Sequence, residues 1–200
     1  SALVTGIITM VFNWTMLHYV GEDGVAAVTI IMYVLMAASS LYTGYSYGAA
    51  PMISYYYGEQ NHRKLKKLIA VSLKVIAAVS VLTALASFVL TRPLVSIFAP
   101  AASPVHHLAV TGNRICTIAL LFIGFNIFAS GMFTALSNGI VSAVLAFSRS
   151  FVFMLIAMIT LPILLGVNGI WLATPAAELM ALVLSGSMFF RYRKSYGYSM

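Results

Sequence analysis

Glu178, in the stretch WLATPAAEL, is the one acidic side chain set well inside an apolar run of this 200-residue sequence. A carboxylate in that setting is costly in hydrocarbon. It points to a proton or cation role, or to pairing with a basic group. Ser46 lies in Gly44-Tyr45-Ser46-Tyr47-Gly48, which matches G-x-S-x-G. An intramembrane serine protease would use such a serine as its nucleophile and would need a base, usually histidine, beside it. The four histidines (His18, His62, His106, His107) fall at the ends of apolar runs or in the breaks, and none follows position 107. The match is therefore weak, and no catalytic residue is expected. His106 and His107 are adjacent, so their side chains diverge on a helix, and no further ligands cluster near them. No metal site is expected. Cys116 is the only cysteine, which excludes an intrachain disulfide. With no P-loop pattern, nothing here binds nucleotide for direct energy coupling.

The elements that position these groups follow from composition. The sequence is 62% hydrophobic and 8% charged, with a mean hydropathy of +0.99. Soluble domains are about a quarter charged, so this chain cannot cover a water-facing surface and its solvent is lipid. The net charge of +7 would suit nucleic acid in a soluble protein. In a membrane chain its commoner cause is retention of Lys and Arg on the cytoplasmic side, and no nucleic-acid partner is expected. The sequence opens on SALVTGIITMVFNW, almost directly inside an apolar run and without a signal-peptide pattern. This start reads as one lobe of something longer.

A spanning helix needs about 20 mostly apolar residues. Six candidates are expected, at about 2–20, 25–50, 68–90, 114–136, 141–165 and 169–190, forming a single membrane unit over 1–200. The class is all-α and polytopic, since lipid requires backbone groups to be satisfied internally and the runs are too long for barrel strands. GEDG at 21–24 is a tight turn in which Asp23 is placed to cap the next helix, and Asn61 is placed to cap the third. The segment 91–107, with three prolines, reads as a loop with a short interfacial piece. Arg63, Lys64, Lys66 and Lys67 fall within five positions. They read as a topology anchor in contact with lipid phosphates, which puts the 58–67 loop and, after six spans, the C-terminus in the cytoplasm of a multi-pass cell-membrane protein.

Polar residues in a span usually face the bundle interior. In span two Tyr33, Ala37, Ser40, Gly44, Tyr47 or Gly48, and Pro51 recur at three- or four-residue steps. Gly6, Thr9 and Asn13 share a face of span one. Asn126, Ser130, Thr134 and Ser137 do so in span four, and Thr174, Glu178 and Ser185 in span six. Any one stripe is explained by helix packing. Four together predict a shared wet cavity.

The run YTGYSYGAAPMISYYYGEQNHRKLKKLI resembles the signature of the multidrug and toxic compound extrusion (MATE) family. There a glycine-rich span ends in Pro-x-(Ile/Val)-(Ser/Gly), followed by Tyr-Gly, an Asn and a basic helix start. LFIGFNIFASGMFTALSNG, Arg149 and LPILLGVNGIWLATPAAEL are similar to the family's later spans. The resemblance implies the second six-helix lobe of a twelve-helix transporter whose amino-terminal lobe is the missing partner. It implies an antiporter, not an enzyme, that exports bulky amphipathic, often cationic, compounds against Na⁺ or H⁺. No cofactor is implied beyond that coupling ion. A lipid-linked oligosaccharide flippase of the same superfamily is the alternative. Some members carry coupling carboxylates in both lobes. Here Asn13 and Asn126 stand at the matching places, which is similar to the DinF-like branch. On this reading Asn13, Tyr33, Met36, Ser40 and Asn126 line the substrate cavity, Glu178 serves coupling, and Gly44, Gly48 and Pro51 are bending positions.

Overall fold

Apolar runs of this length fold in lipid as helices, because only intra-segment hydrogen bonds can satisfy their backbone. The computed structural model describes residues 2–198 and is helical nearly throughout. The first helix, α1, is Ala2–Tyr19. It turns at Gly21, whose φ of +95° favours glycine, into the 37-residue α2, Glu22–Gly58. Next come α3 (His62–Val89), the short α4 (Thr91–Ser96) and α5 (Pro104–Cys116). A 3-10 turn at Thr117–Ala119 joins α5 to α6 (Leu120–Ala135). Then α7 (Gly139–Phe147) passes through a π-helical segment at Ser148–Val152 into α8 (Phe153–Leu165). The last helix is α9, Val167–Tyr192. Among the described residues, five helical stretches are long and apolar enough to cross a membrane: α2, α3, α5–α6, α7–α8 and α9. The 18-residue α1 is the segment expected as the first of six spans.

Several boundaries differ from the sequence expectation, for local reasons. Asp23 does not cap α2; Gly21 occupies the cap and Asp23 lies in the first turn, where a carboxylate still favours the positive end of the helix dipole. Asn61 does cap α3, its side chain accepting from the Lys64 N–H at 3.2 Å. Pro51 does not end α2, which runs on to Gly58. A proline forfeits one rung of the ladder, and a membrane helix resumes beyond it. The segment 91–107 is largely helical. Pro93 sits in the first turn of α4, where its missing N–H costs nothing. Ser103 caps α5 with Pro104 behind it, so the fourth span begins ten residues earlier than expected.

The lobe packs α2 against α1, α5 and α6, α3 against α6, and α8 and α9 against each other and the centre. One core, built on Phe12, Met16, Ile31, Met158 and Trp171, fills the end near the α1–α2 turn. Another, built on Ile53, Leu65, Phe128, Met132 and Phe133, fills the end near the α2–α3 turn. Tyr42, Leu120 and Ile123 join them midway. Close approach depends on small residues. A Cβ at Gly112 would lie 2.7 Å from Ile31 and Trp171. Large apolar side chains such as Val89, Ile140, Ile163, Leu164, Val183 and Phe190 point outward, where lipid rather than water is their solvent.

Candidate functional site

The π-helical turn on the fifth span sets the site. Such single-turn insertions recur at functional positions because they re-aim the side chains around them. Here the turn presents Arg149 to Glu178, with Arg149 Nη1 donating to Glu178 Oε1 at 2.9 Å. From the other side α6 supplies Asn126, whose Nδ2 donates to Glu178 Oε2 at 2.8 Å and to the Glu178 carbonyl at 2.9 Å. Glu178 is 5% exposed and Asn126 2%. The Arg149 side chain keeps 27% of its surface accessible. Three spans therefore meet at one carboxylate. Glu178 is roughly 16 Å from the start of α9, about three turns in. An uncompensated charge there would be prohibitive, and pairing with a guanidinium makes it tolerable. Asn126 Oδ1 is buried without a hydrogen-bond partner, so the cluster holds one open acceptor beside the carboxylate.

One turn from Glu178 on the same face of α9, Thr174 borders a cavity of about 480 Å³. Its walls come from α1 (Thr5, Thr9, Phe12), α2 (Thr29, Met32, Tyr33, Met36), α5 (Cys116), α8 (Met154) and α9 (Trp171). They are apolar and aromatic with a few hydroxyls, and no charged side chain lines them. The volume lies in the range of small-molecule clefts. Pro175 follows Thr174 in α9. It has no N–H to return to the Trp171 carbonyl four residues earlier, and Cys116 Sγ takes that place, donating at 3.3 Å.

Tyr33 and Met36 line this cavity. Asn13 does not; it borders a shallow apolar groove with Met10, Trp14 and Glu22. Asn126 is withdrawn into the carboxylate cluster. Ser40 lies outside the cavity on an exposed face, its hydroxyl bonded to the Met36 carbonyl of its own helix at 2.9 Å. That face is continuous: Tyr33, Ala37, Ser40, Gly44, Tyr47, Gly48 and Pro51 are all exposed along α2. Added Cβ atoms at Gly44 and Gly48 would meet open space. Ser46 points the opposite way and is buried against Gly131 of α6. Arg63, Lys64, Lys66 and Lys67 are all exposed on the first turns of α3. The stripe expected on α6 divides: Asn126 meets Glu178, whereas Ser130 and Thr134 bond Ser142 of α7 at 3.0 and 2.7 Å. Sequence reasoning left the partner of Glu178 unidentified. The signal for Arg149 was a lone arginine inside an apolar run, a signal that Lys74 and Arg114 share.

The sequence matches the MatE family model over residues 1–160. No curated protein matches. Among solved structures, the fold is similar to the inward-facing conformation of a multidrug resistance MATE family transporter of the MOP superfamily. The TM-score is 0.88 at 19% identity, over 97% of this chain and 45% of that one. The outward-facing conformation of such a transporter gives 0.86 at 19% identity, over 98% and 44%. A MOP superfamily transporter from Pyrococcus furiosus, described as having a binding pocket of reverse polarity, gives 0.86 at 18% identity, over 99% and 44%. The chain thus spans less than half the length of the structures it matches.

Proposed function

The chain belongs to the MatE family, and from that premise we propose that it works as the carboxy-terminal lobe of a cation-coupled antiporter exporting bulky amphipathic, often cationic, compounds. The observation that carries this reading is the uncharged aromatic and methionine cavity set one helical turn from the paired carboxylate. Phe12, Tyr33 and Trp171 offer ring faces to a cation, and Met32, Met36 and Met154 adapt to varied apolar shapes. The exposed face of α2, with Ser40 at its middle, meets the amino-terminal lobe and closes the substrate path. Gly44, Gly48 and Pro51 let that helix bend between inward and outward states. Asn13, in its groove on α1, belongs to the same inter-lobe surface. H⁺ or Na⁺ couples by competing with Arg149 for Glu178, which frees a guanidinium that water already reaches. The protein resides in the cell membrane, with the basic turn and the C-terminus on the cytoplasmic side. A polar lipid-linked oligosaccharide would call for basic groups in the cavity wall, and none lines it.

The test is Glu178→Gln in the full-length protein. Efflux of a fluorescent lipophilic cation is expected to fall at unchanged surface expression. Unchanged efflux removes Glu178 from coupling and leaves the family assignment intact.

A further inference from the structure

A second pocket, of about 350 Å³, lies where α4 folds against α5, lined by Arg92, Ser96, Ala101, His106, His107 and Val110. Its polar groups are Arg92, Ser96 and the two histidines, with one fixed positive charge and no carboxylate among them. Arg92 and His107 are exposed. Arg92 has no ion pair among the described residues, and none of the four acidic residues of the chain lines the pocket. Ser96, also exposed, places its Oγ 3.1 Å from His106 Nε2. His106 is 7% exposed, and its other ring nitrogen, Nδ1, is buried with no hydrogen-bond partner. In the tautomer where Ser96 donates to Nε2, Nδ1 is an N–H donor that an anionic oxygen or a bridging water would satisfy.

The depth of the pocket narrows the ligand. The 28 residues of α3 span roughly 42 Å, about the distance between the two headgroup layers. The basic cluster Arg63–Lys67 stands at one end of that helix and this pocket at the other. The pocket therefore opens at headgroup level in the leaflet opposite the basic turn. Leu90, Ile97 and Phe98, at the two ends of α4, are exposed at 48%, 73% and 53% and border a separate apolar groove against α2 and α3.

We propose that this pocket binds a phosphate group, that of an anionic lipid headgroup, with the Arg92 guanidinium supplying the charge, the His107 ring beside it at the mouth, and His106, oriented by Ser96, the donor behind them. A guanidinium suits a phosphate diester because its paired N–H groups match two oxygens at once. Free phosphate shares this chemistry but is not concentrated at headgroup level, where the pocket opens.

The full-length protein in nanodiscs of mixed phosphatidylcholine and phosphatidylglycerol, released into native mass spectrometry, tests this. The wild type is expected to retain phosphatidylglycerol, and Arg92→Gln/His107→Gln to lose it by about fivefold or more, the loss of the one guanidinium accounting for that factor. Both side chains are exposed, so the variant folds. Arg114→Gln, an exposed charge outside the pocket, is expected to leave retention unchanged. In a second arm, thermal unfolding is followed in phosphatidylcholine nanodiscs with added inorganic phosphate. A rise for the wild type alone would identify free phosphate as a sufficient ligand of the same site. Equal retention by wild type and double variant with no phosphate response overturns the proposal, and so does an equal loss in Arg114→Gln.

Discussion

Removing either half of the Arg149–Glu178 pair should destabilise the lobe, but by unequal amounts. Arg149→Met leaves a carboxylate whose side chain is 7% exposed with only the Asn126 donors around it. Stranding a buried charge in this way costs about 3–5 kcal/mol. Glu178→Gln strands a guanidinium that is 27% exposed. Water satisfies part of it and the Gln carbonyl can still accept from Asn126, so the loss is about 1–2 kcal/mol. The double variant has no charge left to strand and should lie within about 1 kcal/mol of the wild type, because a buried pair replaced as a unit is nearly neutral. The coupling energy is then about 5 kcal/mol. Trp171 is 2% exposed and sits two turns from Glu178, so its fluorescence reports unfolding of this region during a thermal ramp in nanodiscs. Arg149→Met should lower the midpoint by about 10 °C, Glu178→Gln by a few degrees, and the double variant by little. Equal single losses with an additive double variant would refute the reasoning, since the contact would then be an ordinary surface pair.

Gly131→Ala places a methyl group against Ser46 Oγ. It should lower the melting midpoint by several degrees, at about 1–3 kcal/mol for overpacking, and Ser46→Gly in the same chain should restore it. A fully active Gly131→Ala protein of unchanged midpoint would mean that α2 and α6 are less tightly seated than described. Neutralising Arg63, Lys64, Lys66 and Lys67 together should weaken orientation. A Gln60→Cys probe in a Cys116→Ala background, labelled from each side of sealed vesicles, should report a mixed rather than a single orientation. Burial, with a smaller contribution from Tyr196, raises the Tyr198 phenol above its ordinary value. A raised pKa stabilises the folded tail below about pH 10 and loses that contribution as the phenol ionises. Proteolysis of the tail should therefore quicken in strong alkali, and Tyr198→Phe should remove that pH step.

The helices and their turns were legible because lipid leaves so few alternatives: apolar runs near 20 residues, and breaks marked by Gly21, Asn61, Asn138 and Gly166. The exposed stripe on α2 was legible as well, because a three-to-four-residue period assigns a face whatever covers it. What lies opposite a face was not. Asn126 and Asn13 belong to polar stripes of the same kind, yet one is 2% exposed against Glu178 and the other borders an outer groove. The difference depends on how α6 and α1 are rotated against their neighbours, a long-range property. The pairing of Arg149 with Glu178 was not legible, because it depends on a π turn that no local residue pattern announces. The helices within 91–107 were hidden by reading the prolines as breakers, when Pro93 stands in the first turn of α4 and Pro104 in that of α5.

The π turn has a consequence for how the fifth span tolerates change. It is one residue more than an α-helix would hold, and each residue accounts for about 100° of rotation. Everything from Phe153 onward is thus clocked against α7 by that single surplus residue. Were the surplus to migrate along the helix, as a dislocation glides through a crystal, the residues it passed would swing by that angle while the two ends stayed docked. Arg149 would leave Glu178 without any helix moving as a body. The span thus carries its own adjustable gear, and a one-residue deletion between Ser148 and Val152 would jam it in the α register.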